Sequence, residues 1–105
     1  MANPNTLYWT GPDKMTDGSA FTSAEYAGFE IEVSQGGSAT VIAVPAAWKA
    51  DHAYSLPLRD LPLGVGPATV RMRTLSVGYG SSDWTNPVSF TLRGPPLPPQ
   101  NVRVA

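Results

Sequence analysis

What most constrains this chain is its punctuation: apolar residues come in short alternating runs, and Gly or Pro closes most of them. Residues 5–10 put Leu7 and Trp9 on one face and Tyr8 and Thr10 on the other, and Gly11-Pro12 stops the run. Residues 28–33 alternate with Phe29, Ile31 and Val33 inward and Glu30 and Glu32 outward. Gln35-Gly-Gly-Ser38 is a turn, and the β-branched run 39–44 ends at Pro45. Residues 45–50 make one helical turn or an irregular bend. Residues 52–58 align Tyr54, Leu56 and Leu58, and Leu61-Pro-Leu-Gly64 is a turn with an apolar plug. Residues 68–75 turn Val70 and Met72 inward and Arg71 and Arg73 outward, and residues 88–92 turn Val88, Phe90 and Leu92 inward. Between these runs lie two long loops, 13–25 with a turn at Asp17-Gly18, and 76–87 carrying Tyr79 and Trp84. A Pro-rich spacer, 94–100, leads to a seventh alternating segment, 101–105, with Val102 and Val104 on one face.

A period of two is strand geometry. Gly (10) and Pro (11) together make a fifth of the 105 residues, a density that excludes a helix bundle or coiled coil. The predicted fold is an all-β antiparallel sandwich over residues 1–93, followed by the spacer and the C-terminal strand. Charged residues are 14% of the chain and the net charge is −1, so nothing electrostatic favours nucleic acid or an anionic membrane as partner. No apolar run approaches the length that spans a bilayer. Without cysteine there is no disulfide, thiol nucleophile or zinc–thiolate site. The first residues have neither a basic nor an apolar signal region, and the expectation is synthesis and folding in a cytoplasm.

The runs, in order, resemble the strands of a fibronectin type III domain. Leu7-Tyr-Trp-Thr-Gly-Pro12 is similar to that family's second strand, Tyr26-Ala-Gly-Phe-Glu-Ile-Glu-Val33 to its third, and Tyr54-Ser-Leu-Pro-Leu58 with Leu61-Pro-Leu-Gly64 to its fifth and the corner after it. Val70-Arg-Met-Arg-Thr-Leu75 and Val88–Leu92 resemble the last two. The resemblance covers about residues 7–93 and implies an immunoglobulin-like sandwich. Two departures stand out. Ala68 falls where the family has a corner tyrosine. The family's first strand also has no counterpart before Leu7, whereas Pro98-Pro-Gln-Asn-Val-Arg-Val104 reads like such a strand at the wrong end of the chain.

That displacement generates the sharpest expectation. A seven-residue spacer in polyproline geometry reaches about 22 Å, and a strand of this fold spans about 30 Å. The tail would struggle to return to the far pole of its own domain. It would easily enter a second copy stacked head to tail, filling the first-strand position of a neighbour. A strand elsewhere on its own body and a disordered tail are the alternatives.

Weighed singly, Trp9 and Phe29 are core residues. Trp84 is read as stacking between Arg71 and Arg73, with a recognition role as the rival. Tyr79 is a candidate contact on an exposed loop. Trp48 is either a lid on the core or an interface anchor. Glu30 and Glu32 are expected to form cross-strand ion pairs with Arg71 and Arg73, and not an acid/base pair, since exposed carboxylates lack the burial that raises a pKa. His52 is the single histidine, so a transition-metal site lacks ligands. Asp13, Asp17 and Glu25 match no calcium-loop spacing. No catalytic, cofactor or metal residues are expected. Candidate partner contacts are Asn101, Val102, Arg103, Val104, Tyr79 and Trp48. The functional expectation is a non-enzymatic structural protein, packing in many copies by strand exchange and loop contacts with itself or with other virion proteins. Lone domains of this family without export signals are similar to bacteriophage capsid-decoration and tail proteins, which assemble in the host cytoplasm. The alternative is a spacer or weakly carbohydrate-binding module of a secreted bacterial enzyme or adhesin.

Overall fold

The structure is a computed structural model that describes residues 3–104. Seven strands and one short 3-10 turn make up its regular structure: β1 (Thr6–Thr10), β2 (Tyr26–Gln35), β3 (Ser38–Val44), β4 (Ala53–Pro57), the 3-10 turn Leu58–Asp60, β5 (Gly66–Ser76), β6 (Gly80–Ser81) and β7 (Val88–Leu92). All pairings are antiparallel. One sheet holds β1 and β4 alone. The other runs β3-β2-β5, and the far side of β5 pairs with β7 along Gly66–Val70 and with β6 at Leu75 and Ser76. The chain is an antiparallel β-sandwich, as the alternation predicts.

The alternating residues meet between the two sheets. Phe29, Ile31 and Val33 of β2 and Val70 and Met72 of β5 face Tyr54, with Leu58 and Leu61 closing one end; Ile31 is 0% exposed. Trp9 stacks on Tyr54 at 5.8 Å and meets Phe29 edge-on at 5.5 Å, so Trp9 and Phe29 do fill the core. The sequence pattern undercounts this core. Phe21, in a loop with no alternation, is buried, and the bridge Lys14↔Ala20 makes that loop a small hairpin.

Turns fall where the backbone needs glycine. Gly36 and Gly37 both have positive φ between β2 and β3, the two-residue hairpin geometry that keeps strand twist continuous. Gly28 (φ 104) sits at a bulge in β2, where a Cβ would stand 3.0 Å from the Val44 carbonyl oxygen. The corner before β5 is held from a distance. The Gln35 side chain accepts from the Gly64 N–H at 2.7 Å and donates to the Gly64 C=O at 2.9 Å. Ala68 is buried opposite Phe90.

Beyond β7 the chain leaves the body. A compact chain of this length has a radius of gyration of about 13 Å; this one has 18.6 Å and a longest dimension of 74 Å. The 11-residue β5 accounts for about 36 Å of that length, and residues 94–104, extended, for a similar distance.

Candidate functional site

Among the described residues the two-stranded sheet is unpaired on both of its outer sides, and the ladder shows which groups the β1 side exposes. The Leu58 N–H donates to the Asn5 C=O and the Gly11 N–H to the His52 C=O, flanking the pairs Leu7↔Leu56 and Trp9↔Tyr54. Hydrogen-bonded and non-bonded pairs alternate in an antiparallel ladder. Odd-numbered residues of β1 therefore bond to β4, and the N–H and C=O groups of Thr6, Tyr8 and Thr10 point to the opposite side. Among the described residues no strand pairs with that side. An open edge of this kind is a ready template for another strand.

Beside the edge the sheets part over a groove of ≈ 220 Å³. Leu7 and Trp9 line it from β1, Phe29, Val70 and Met72 from below, and Val88, Thr85 and Asn86 from the far wall. Val88, which the alternation turns inward, is 58% exposed here, because nothing among the described residues covers this flank of the core. The Trp9 Nε1 is buried and has no acceptor among the described residues. An N–H left so costs about 1–3 kcal/mol relative to a bonded one.

The far wall is a loop that stands in for a strand. On the side of β5 away from β2, residues 71–74, between β7 and β6, have no strand partner among the described residues. There the Met72 N–H donates to Thr85 Oγ1 and the Thr74 N–H to Ser82 Oγ, while Ser82 and Thr85 return their own N–H groups to the Thr74 and Met72 carbonyls. On the outer face, Glu32 pairs with Arg71 at 2.7 Å and Glu30 with Arg73 at 2.6 Å. The Trp84 ring lies 4.8 Å and 4.4 Å from the two guanidinium carbons. Trp84 packs against Arg71 and Arg73, the first of the two roles read for it.

The partner candidates separate into three places. Residues 101–104 form no strand within the chain: Asn101 is in a bend with φ 57, Val102 is 80% exposed and Val104 100%. Ala105, the last residue of the expected strand, lies outside the described residues. Tyr79 is exposed at the turn after β5, beside a concavity of ≈ 370 Å³ lined by Pro12, Met15 and Phe21. Trp48 is half-buried in an aromatic cluster, edge-on to Tyr26 at 5.4 Å, Phe21 at 5.9 Å and His52 at 5.2 Å. Tyr26 beneath it donates to the Ala46 C=O, and burial, with the Tyr54 phenol close by, pushes its pKa up to about 12.

No acid/base or metal constellation assembles among the described residues. The loop carboxylates serve their own turns: the Ser19 hydroxyl and N–H hold Asp17 below the usual carboxylate range, and those of Thr22 do the same for Glu25. No group of three or more His, Asp or Glu residues is arranged to hold an ion, and no helix is long and apolar enough to cross a membrane.

By its architecture the chain is an antiparallel β-sandwich whose β1 edge is open beside an apolar groove. Comparison with protein-family models, with curated proteins and with solved structures finds no match.

Proposed function

We propose that this is a non-catalytic assembly protein, a virion component of the capsid-decoration or tail kind, whose copies join by strand addition and loop contacts. The observation that supports this reading is the open β1 edge over an apolar groove, on a molecule whose own C-terminal segment stands out exposed. The fibronectin type III resemblance is part of the same proposal. The arrangement of β1-β4 against β3-β2-β5-β7 suits it, with the first-strand place beside β1 unfilled.

Native mass spectrometry of the full chain over a hundredfold concentration range tests the proposal. Multimers that grow with concentration are the expected result. A monomer throughout would remove the assembly role and leave the second reading, a spacer or binding module, which the extended Pro-rich segment 94–100 favours as a linker.

A further inference from the structure

We infer that the groove beside β1 receives residues 101–104 of a second copy, which run antiparallel to β1 with Val102 opposite Trp9 and Val104 opposite Leu7. This rests on the assembly reading and specifies its joint.

The direction follows from where the chain leaves the body. The Arg93 N–H donates to Asn3 Oδ1, and the Asn3 side chain donates to the Arg93 C=O, so β7 ends at the pole where β1 begins. A tail leaving there and continuing along the long axis meets a similarly oriented second copy at the end of β1 near Thr10. From there it runs toward Thr6, antiparallel to β1.

The register follows from the pleat. Residues opposite one another share a face, so the two valines enter the groove only opposite odd-numbered residues of β1. Val102 with Trp9 and Val104 with Leu7 uses both apolar residues that β1 turns inward. That register sets Arg103 opposite Tyr8, whose N–H and C=O face the open edge. Arg103 and the exposed Tyr8 then lie side by side on the solvent face. Apolar residues stand at both poles as well: Val65 and Leu97 where the tail departs, Val77 and Tyr79 where a neighbour would arrive. A joint of this kind is heterologous, and repeated by translation it makes an open chain and not a closed dimer.

Three full-length variants, one of the donor and two of the acceptor, test it by complementation. Val102→Asp with Val104→Asp spoils the donor. Tyr8→Pro removes an N–H that the β4 ladder does not use, a substitution that edge strands tolerate; Val88→Glu, on the exposed groove wall, is the second acceptor variant. Analytical ultracentrifugation should show the wild type assembling and each variant alone requiring at least roughly tenfold more protein to do so. A donor variant mixed with an acceptor variant should form a one-to-one dimer and nothing larger. Assembly unchanged by Val102→Asp with Val104→Asp, or variants that fail to complement, would overturn the tail's role and leave assembly through another face standing. A wild type that is monomeric at every concentration would overturn both.

Discussion

At the residue scale, the outer face of the larger sheet shows how little charge this fold needs. Each Glu–Arg pair is partly exposed, and such pairs contribute about 0–1 kcal/mol. The Trp84 ring adds more, because it covers a face of both guanidinium groups while their N–H groups keep the carboxylates. Trp84→Ala should therefore lower stability by about 1–2 kcal/mol, read as a fall in urea midpoint at unchanged m-value; a change below about 0.3 kcal/mol would make the stack ornamental. Tyr26 gives a second expectation. Its folded pKa, up to about 12, lies above the ordinary tyrosine value of 10.0. The unfolded chain therefore loses the phenol proton first. Stability from this group is complete below pH 10 and falls between pH 10 and 12, by about 1 kcal/mol once water reaching the ring edge is allowed for. Denaturant midpoints at pH 9 and pH 11.5 should differ less in Tyr26→Phe than in the wild type.

At the scale of elements, legibility tracked apolar alternation. Residues 88–92 form β7 as read, and residues 28–33 lie inside a longer β2 that starts at Tyr26, where the resembling segment starts, and ends in Ser34-Gln35, polar residues that carry no pattern. β6 could not be read, since Gly80 and Ser81 alternate nothing. The run 52–58 was read one residue too far: the chain leaves β4 at Pro57, and Leu58 stays inside by entering a 3-10 turn. Phe21 was missed because a hairpin of polar residues, not a strand, delivers it to the core. The candidate site was half legible. The inward Leu7 and Trp9 of β1 and the alternating valines of the tail are in the sequence. The wall opposite β1 is not, because residues 82–87 do not alternate and take a strand's place through two hydroxyls and two N–H groups aimed at β5. That substitution is testable. Thr85→Val keeps the shape and deletes the acceptor of the Met72 N–H, which should cost about 1–2 kcal/mol and speed hydrogen exchange at Met72 while leaving Ile31 protected. Unchanged exchange at Met72 would mean that water serves the amide equally well.

At the scale of the whole molecule, the two sheets are unequal, and the inequality couples folding to assembly. β2 and β5 pair over nine residue positions, from Tyr26↔Ser76 to Gln35↔Ala68, in the centre of one sheet. β1 has five pairs, all to β4, and a two-stranded ribbon is marginal without packing. A third strand on the open edge would add main-chain hydrogen bonds and two valines where the core is thinnest. Whatever binds the folded state and not the unfolded chain stabilises it by mass action, about 1.4 kcal/mol for each tenfold of concentration above the dissociation constant. If the occupant is another copy, the melting temperature of the full chain should climb with its own concentration, by a few degrees per decade for a domain of this size. The Val102→Asp with Val104→Asp chain should melt at one temperature at every concentration. Amides of Tyr8 and Thr10, which face the open edge, should gain exchange protection along the same concentration series. A wild-type melting temperature independent of concentration, measured where multimers are present, would show that copies associate without completing the sandwich.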